Sequence, residues 1–307
     1  MSSTYNPGVH RFSVFAVCWT VLLFVAGALV TSKDAALSVT DWPKSHGTWI
    51  PSLTMLQGAD LFEFSHRVVA GGLGLLTLAL AAWLWVKEKR PWLRWLGLTA
   101  VLGVAVQAIL GGQVVIRLLH YWLPIIHACF AQIVFGAVLA ISVFTSKWWV
   151  SDQPLLQDSG APSIHALVIL NAGVIYLQVI LGAGFRHKEI PIWPHMAGAL
   201  LVLGMVIWTA VALRKRFTLS REFSKARILL HAIFGTQFLL GLGAYWSRLT
   251  TADAPQPMPI MVTLTVIHTV VGAILFAFSV LIVLMCYRLI PRGGEVAATA
   301  PRRVTAG

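Results

Sequence analysis

Eight runs of predominantly apolar residues leave this chain few ways to fold. A helix needs about 20 residues to cross the hydrocarbon core of a bilayer. Runs of that length fall at about 12–32, 62–86, 95–117, 124–146, 164–185, 193–213, 228–247 and 261–288. Closed barrels also cross membranes, but they use short alternating segments. Continuous stretches such as 68–86 and 200–213 dictate helix instead. The chain is 58% hydrophobic and 11% charged, against about 25% charged in a soluble protein, so lipid is its solvent. The first run lacks a small-residue cleavage site, and its length makes it a retained span rather than a signal peptide.

The net charge of +12 raises the question of nucleic acid, but its distribution excludes that partner. Basic residues cluster in alternate loops: Lys87, Lys89, Arg90 and Arg94; then Arg214, Lys215, Arg216, Arg221, Lys225 and Arg227; then Arg288, Arg292, Arg302 and Arg303. Excess Lys and Arg mark cytoplasmic loops. Both termini are therefore expected inside, with the long loop 33–61 outside. Cys18, Cys129 and Cys286 fall within predicted helices, share no loop and form no disulfide or metal spacing, so each reads as a small packing residue.

The chain repeats itself. His10 precedes Gly27 by seventeen residues, as His165 precedes Gly182. AVQAILGG around Gln107 is echoed by GTQFLLGLG around Gln237, and HRVVAGGLGLL from His66 by HMAGALLVLG from His195. The expected architecture is all-α: eight transmembrane helices forming two tandem four-helix bundles related by pseudo-two-fold symmetry, with the axis along the membrane normal. The first bundle would occupy 1–150 and the second 164–290, joined by a polar cytoplasmic linker at 151–163 and followed by a disordered cytoplasmic tail at 291–307. The halves differ in their outer loops, which suggests one acting site and one supporting site.

His66, His127, His195 and His268 each sit near the start of every second span. One buried histidine alone would read as a hydrogen-bonded core residue. Four at matching depth, two per half, read as two bis-histidine haem sites facing the external side. Zinc fits poorly, because it takes four ligands or three plus water and no Cys, Asp or Glu cluster stands near. His10 and His165 read as interfacial, and His46, His120 and His187 lie in external loops. His231 opens the seventh span without a counterpart at Val101.

Glu63 stands three residues before His66, on the same helix face. It can orient a ligand or move a proton, or serve as a helix N-terminal acid favoured by the macrodipole. The second half has Ile192 at the matching place. Arg67 can meet a haem propionate or snorkel toward headgroups. Gly71, Gly72 and Gly74 permit close approach of a helix or macrocycle, and Trp83, Trp85, Trp148 and Trp149 fit an interfacial belt.

Taken in order, GALVTS ending the first span, LSVTDWP in the first external loop, EFSHRVVAG, LGGQVV and the histidines of the fourth, sixth and eighth spans resemble the haem A synthase family. The resemblance runs from about His10 to Tyr287. It implies oxidation of the ring-D (C8) methyl group of haem O to a formyl group, through successive hydroxylations and loss of water from a gem-diol, giving haem A for terminal oxidases. It further implies substrate haem on His66 and His127, haem b on His195 and His268, and Glu63 as the catalytic acid. Some relatives carry a cysteine pair in the first external loop. Here that loop reads DWPKSHG, with Ser45 and no cysteine, so no step can use such a pair.

Two other functions suit paired histidines: a quinone-linked dihaem electron carrier, and a haem-handling chaperone or transporter. The acid and the long loop on the first half alone favour the enzyme. Expected partners are haem O, membrane lipid and haem O synthase, with a homo-oligomer left open. A bacterial plasma membrane is expected, since no Arg- and Ser-rich transit segment precedes the first span.

Overall fold

The computed structural model describes residues 5–52 and 54–291. These fold as nine helices: α1 (Pro7–Ser32), α2 (Ala59–Lys87), α3 (Pro91–Ile116), α4 (Leu123–Thr145), the short α5 (Lys147–Val150), α6 (Ile164–Arg186), α7 (Trp193–Arg216), α8 (Arg221–Thr250) and α9 (Pro259–Leu289). All but α5 are long and apolar enough to cross a membrane. At about 1.5 Å per residue, even the 23-residue α4 is about 35 Å long.

Local sequence explains where they start. α1, α3, α4, α7 and α9 carry proline in their first turn, where its missing N–H costs nothing and its φ is already helical. Asn6 Oδ1 accepts from the N–H groups of Gly8 and Val9, while Ser163 and Ser220 cap α6 and α8. The Ser220 cap also explains why α8 begins seven residues before the apolar run at 228. Hydrogen bonding, not hydropathy, sets that end.

Each long helix packs on its sequence neighbour within 7–145 and within 164–289, and the first helix of each set also meets the last: α1 on α4, α6 on α9. The two sets meet through α1–α9, α4–α9 and α4–α6. Small residues line those seams: Ala28 against Val262 and Val266, Cys129 and Ala183 with Ile125, Ala273 and Ala277 with Phe135. Small side chains let helices approach closely where lipid supplies no hydrophobic drive. Cys129 and Cys286 are buried packing residues as expected, but Cys18 is exposed. It sits on the outer face of α1 rather than in its packed face.

The segment between α5 and α6 is pinned. Asp158 accepts from the N–H groups of Gly160 and Ile164 and pairs with Arg216 of α7 at 3.1 Å. Arg288 donates to the carbonyls of Trp149 and Ser151. Beyond Pro291, the expected tail lies outside the described residues.

Candidate functional site: four membrane histidines

His66 lies on α2, His127 on α4, His195 on α7 and His268 on α9. Each imidazole rests against a glycine of the helix before it. A Cβ added at Gly27 would sit 3.2 Å from His66 Cε1; the same construction gives 3.1 Å for Gly111 and His127, and 2.9 Å for both Gly182 with His195 and Gly241 with His268. Any side chain there would push the ring away, so glycine is the seat. One turn before three of these glycines stands a glutamine: Gln107, Gln178 and Gln237. Gln107 and Gln178 each donate from Nε2 to the backbone carbonyl of their histidine, His127 and His195, at 2.8 Å.

The ring nitrogens are suited to a metal. The Nδ1 atoms of His66, His127 and His195 are buried without a protein partner. His195 and His268 have ring centroids 6.3 Å apart and nearly perpendicular planes. Two metal–nitrogen bonds of about 2 Å plus the rings' own radii give about 6 Å, so the spacing of the two rings matches that of a ligand pair. Among the described residues no three His, Cys, Asp or Glu side chains converge as a metal cage requires. Haem iron asks the protein for only two axial ligands, and these residues fit that demand.

Around His66 the structure adds a carboxylate, a guanidinium and a loop. Glu63 is 5% exposed, one turn inside α2 from the first-turn Asp60, so the macrodipole alone does not account for it. Its Oε1 accepts from Arg67 Nε at 3.0 Å. The rest of that guanidinium holds the loop between α1 and α2. Nη1 donates to the carbonyls of Asp41 and Lys44 and to Ser45 Oγ, and Nη2 donates to the Val39 carbonyl. Trp42 lies flat over Gly112, where a Cβ would come within 2.5 Å of the indole. The loop thus caps α3 beside the His127 seat.

His46 clips the same loop. Its Nε2 lies 3.0 Å from Asp60 Oδ2, and its N–H, with that of Gly47, donates to the Asp41 carboxylate. Burial works against the Asp41 charge, but those two N–H groups win and hold its pKa below the usual carboxylate value. The cluster has an evident structural job.

Arg186, at the end of α6, went unnoticed in the sequence. It donates to the Ala28 carbonyl and Ser32 Oγ of α1 and to Thr269 Oγ1 of α9. Ala28 follows the Gly27 seat and Thr269 follows His268, so one guanidinium ties the two histidine pairs. Its neighbour His187 is driven down to about 4 by burial and then by the Arg186 charge. The remaining histidines stand apart. His10 Nδ1 meets the Ser142 carbonyl at 3.1 Å, His165 packs tilted against Tyr287 and His120 edge-on against Tyr121, and His231 Nδ1 meets the Arg227 carbonyl.

Fold and site together define a multi-pass helical membrane protein with histidines arranged in pairs. Residues 10–189 match the family described as "Cytochrome oxidase assembly protein" (COX15-CtaA), more than half of the chain. The chain is 31% identical over 201 residues to "Heme A synthase" of Listeria monocytogenes serotype 4a, covering 61% of this chain and 62% of that relative. It is 29% identical over 199 residues to the protein of that name from Lysinibacillus sphaericus, covering 62% and 63%. With that of Symbiobacterium thermophilum it shares 27% identity over 323 residues, covering 94% of this chain and 95% of the relative. The chain belongs to the haem A synthase family.

Proposed function

We propose that this protein oxidises the ring-D (C8) methyl group of haem O to a formyl group, yielding haem A. The observation that carries the reading is the histidine set: four imidazoles, each seated on a glycine of the preceding helix, with an ionisable acid beside only one of them. The curated relatives named "Heme A synthase" support it.

In this reading His66 and His127 hold the substrate haem, and His195 and His268 hold a resident haem b. Haem b, when bound there, would supply one-electron exchange. Glu63 holds or moves the proton of the reacting group through its carboxylate. Arg67 keeps that carboxylate aimed by pairing with Oε1, and its charge is available to a propionate. The loop carrying Val39, Trp42 and Ser45 excludes water from this end, which strengthens every polar interaction beneath it.

The halves are read as parallel repeats with both termini cytoplasmic, because basic residues crowd the ends opposite the histidines. The haem sites then face the external side of a bacterial membrane. Haem O, being apolar, arrives through the membrane from haem O synthase.

Expression beside a haem O source, followed by pigment extraction and chromatography, tests the proposal. Haem A appearing only with the intact chain supports it. Bound haem O recovered unchanged would leave a dihaem electron carrier, a reading to which the equal glycine seats of the second pair lend themselves.

A further inference from the structure

We propose that Gln107, Gln178 and Gln237 are positioning residues for His127, His195 and His268, and that His66, whose preceding helix carries Leu23 at the matching position, is the ligand that lets go to admit and release the substrate. The inference rests on haem ligation by the four histidines and adds which of them exchanges.

The geometry is a four-fold pattern broken at one corner. Residues four apart share a helix face, so a helix that offers glycine to an imidazole offers the preceding turn to the same histidine. On α3, α6 and α8 that turn carries Gln107, Gln178 and Gln237, four residues before Gly111, Gly182 and Gly241. Two of the amides bond the histidine carbonyl at 2.8 Å. The third meets the ring itself: His268 Nδ1 lies 3.2 Å from the Gln237 carbonyl, and its Nε2 lies 3.3 Å from Gln237 Nε2. On α1 the residue four before Gly27 is Leu23, which has no amide to give. The α1–α2 pair is tied elsewhere, by Trp19 Nε1 donating to the Val69 carbonyl at 2.8 Å, three residues past His66.

A second observation points the same way. The Oε1 atoms of all three glutamines are buried without a donor, as are the Nδ1 atoms of His127 and His195. An orphaned amide oxygen is unfavourable. A metal-ligating imidazole donates its other N–H to an outer partner, which fixes its tautomer and orientation. The glutamine oxygens stand on the helix that faces each histidine, but none of them bonds a ring nitrogen. At His268 both ring nitrogens meet one glutamine, Nδ1 at the Gln237 carbonyl and Nε2 at the Gln237 amide nitrogen. Three of the histidines thus carry a glutamine contact, two at the backbone carbonyl and one at the ring, and the α1–α2 pair has leucine in that place. Its histidine is the one beside Glu63, in the half where substrate enters and product leaves.

The test uses the full chain purified with its haem. Transfer of haem to excess apomyoglobin should show a fast phase from the His66 half and a slow phase that His195→Ala removes. Leu23→Gln should slow the fast phase about tenfold, the low end for outer-shell partners of metal ligands. Gln178→Leu should accelerate the slow phase by a similar factor and shift the low-spin electron paramagnetic resonance signal, which a merely structural change elsewhere would leave alone. If Leu23→Gln does not accumulate, Gln107→Leu carries the test by accelerating the fast phase further. Unchanged rates in folded variants with unchanged resonance would overturn the inference while leaving haem ligation intact. A purified chain without porphyrin absorbance would overturn ligation itself.

Discussion

Arg67 Nε lies 3.0 Å from Glu63 Oε1, and the same guanidinium reaches the carbonyls of Val39, Asp41 and Lys44. The acid beside His66 and the loop above it are therefore held by a single side chain. Moving either one moves the other.

That coupling separates chemistry from architecture. Glu63→Gln keeps the shape and a hydrogen-bonding oxygen but removes the exchangeable charge. It should lower haem A formation by about 10²-fold or more, the range for lost acid–base catalysis, with bound haem retained. Chromatography of extracted pigments reads the first quantity and absorbance of the purified protein the second.

Arg67→Lys should act on the loop instead. A lysine ammonium has three donors on a flexible stem and cannot reproduce a planar guanidinium fork. Limited proteolysis within 33–58 should become faster, and Gly112→Ala should do the same by forcing Trp42 off α3, where the added Cβ would meet the indole at 2.5 Å. Equal cleavage rates in both variants and the parent would contradict the latch.

The glycine seats make a prediction that is local to one pair. Gly182→Ala places a methyl group 2.9 Å from His195 Cε1 and should displace that ring. The low-spin signal of the second pair should weaken, whereas that of the first pair should stay. Simultaneous loss of both signals would mean that the sites are not separate.

Acid should loosen the histidine end of the bundle in two steps. An unfolded histidine titrates at 6.5, and in the folded chain His187 is held at about 4. Folding therefore favours the neutral ring: its contribution is complete above about pH 6.5 and is lost progressively as pH falls toward 4. Asp41, held below 3.8, contributes in full above that value and is lost only as pH falls through its lower folded pKa. Thermal melts in detergent at pH 7.5, 5 and 3.5 should fall in that order, and His187→Gln should make the first drop smaller.

At the opposite end, Asp158→Asn leaves Arg216 without its anion and weakens two backbone caps. The expected cost is about 1–3 kcal/mol, read as a lower melting midpoint with bound haem unchanged.

Much of this was open to inspection in the chain alone. Apolar runs of spanning length permit little besides helices, because an unpaired backbone group in lipid is prohibitively costly. The four histidines stood out for the same reason, and Glu63, His66 and Arg67 share a face by helical spacing. Other features were visible but mute. His46 had no assignable role until Asp60 and Asp41 were found beside it. Gln178 escaped notice although Gln-x-x-x-Gly occurs at 107–111, 178–182 and 237–241. Nothing in a one-dimensional pattern says which helix face meets which histidine.

Helix content, membrane residence and the depth of the imidazoles follow from local rules of length, hydropathy and periodicity, each operating within a few turns of chain. Which glycine receives which ring, that Arg67 latches a loop more than twenty residues away, and that Arg186 joins Ala28 to Thr269 depend on helix neighbours and rotations. Those are set by the packing of small residues at the seams, an interaction between segments that hydropathy along one strand of sequence does not encode.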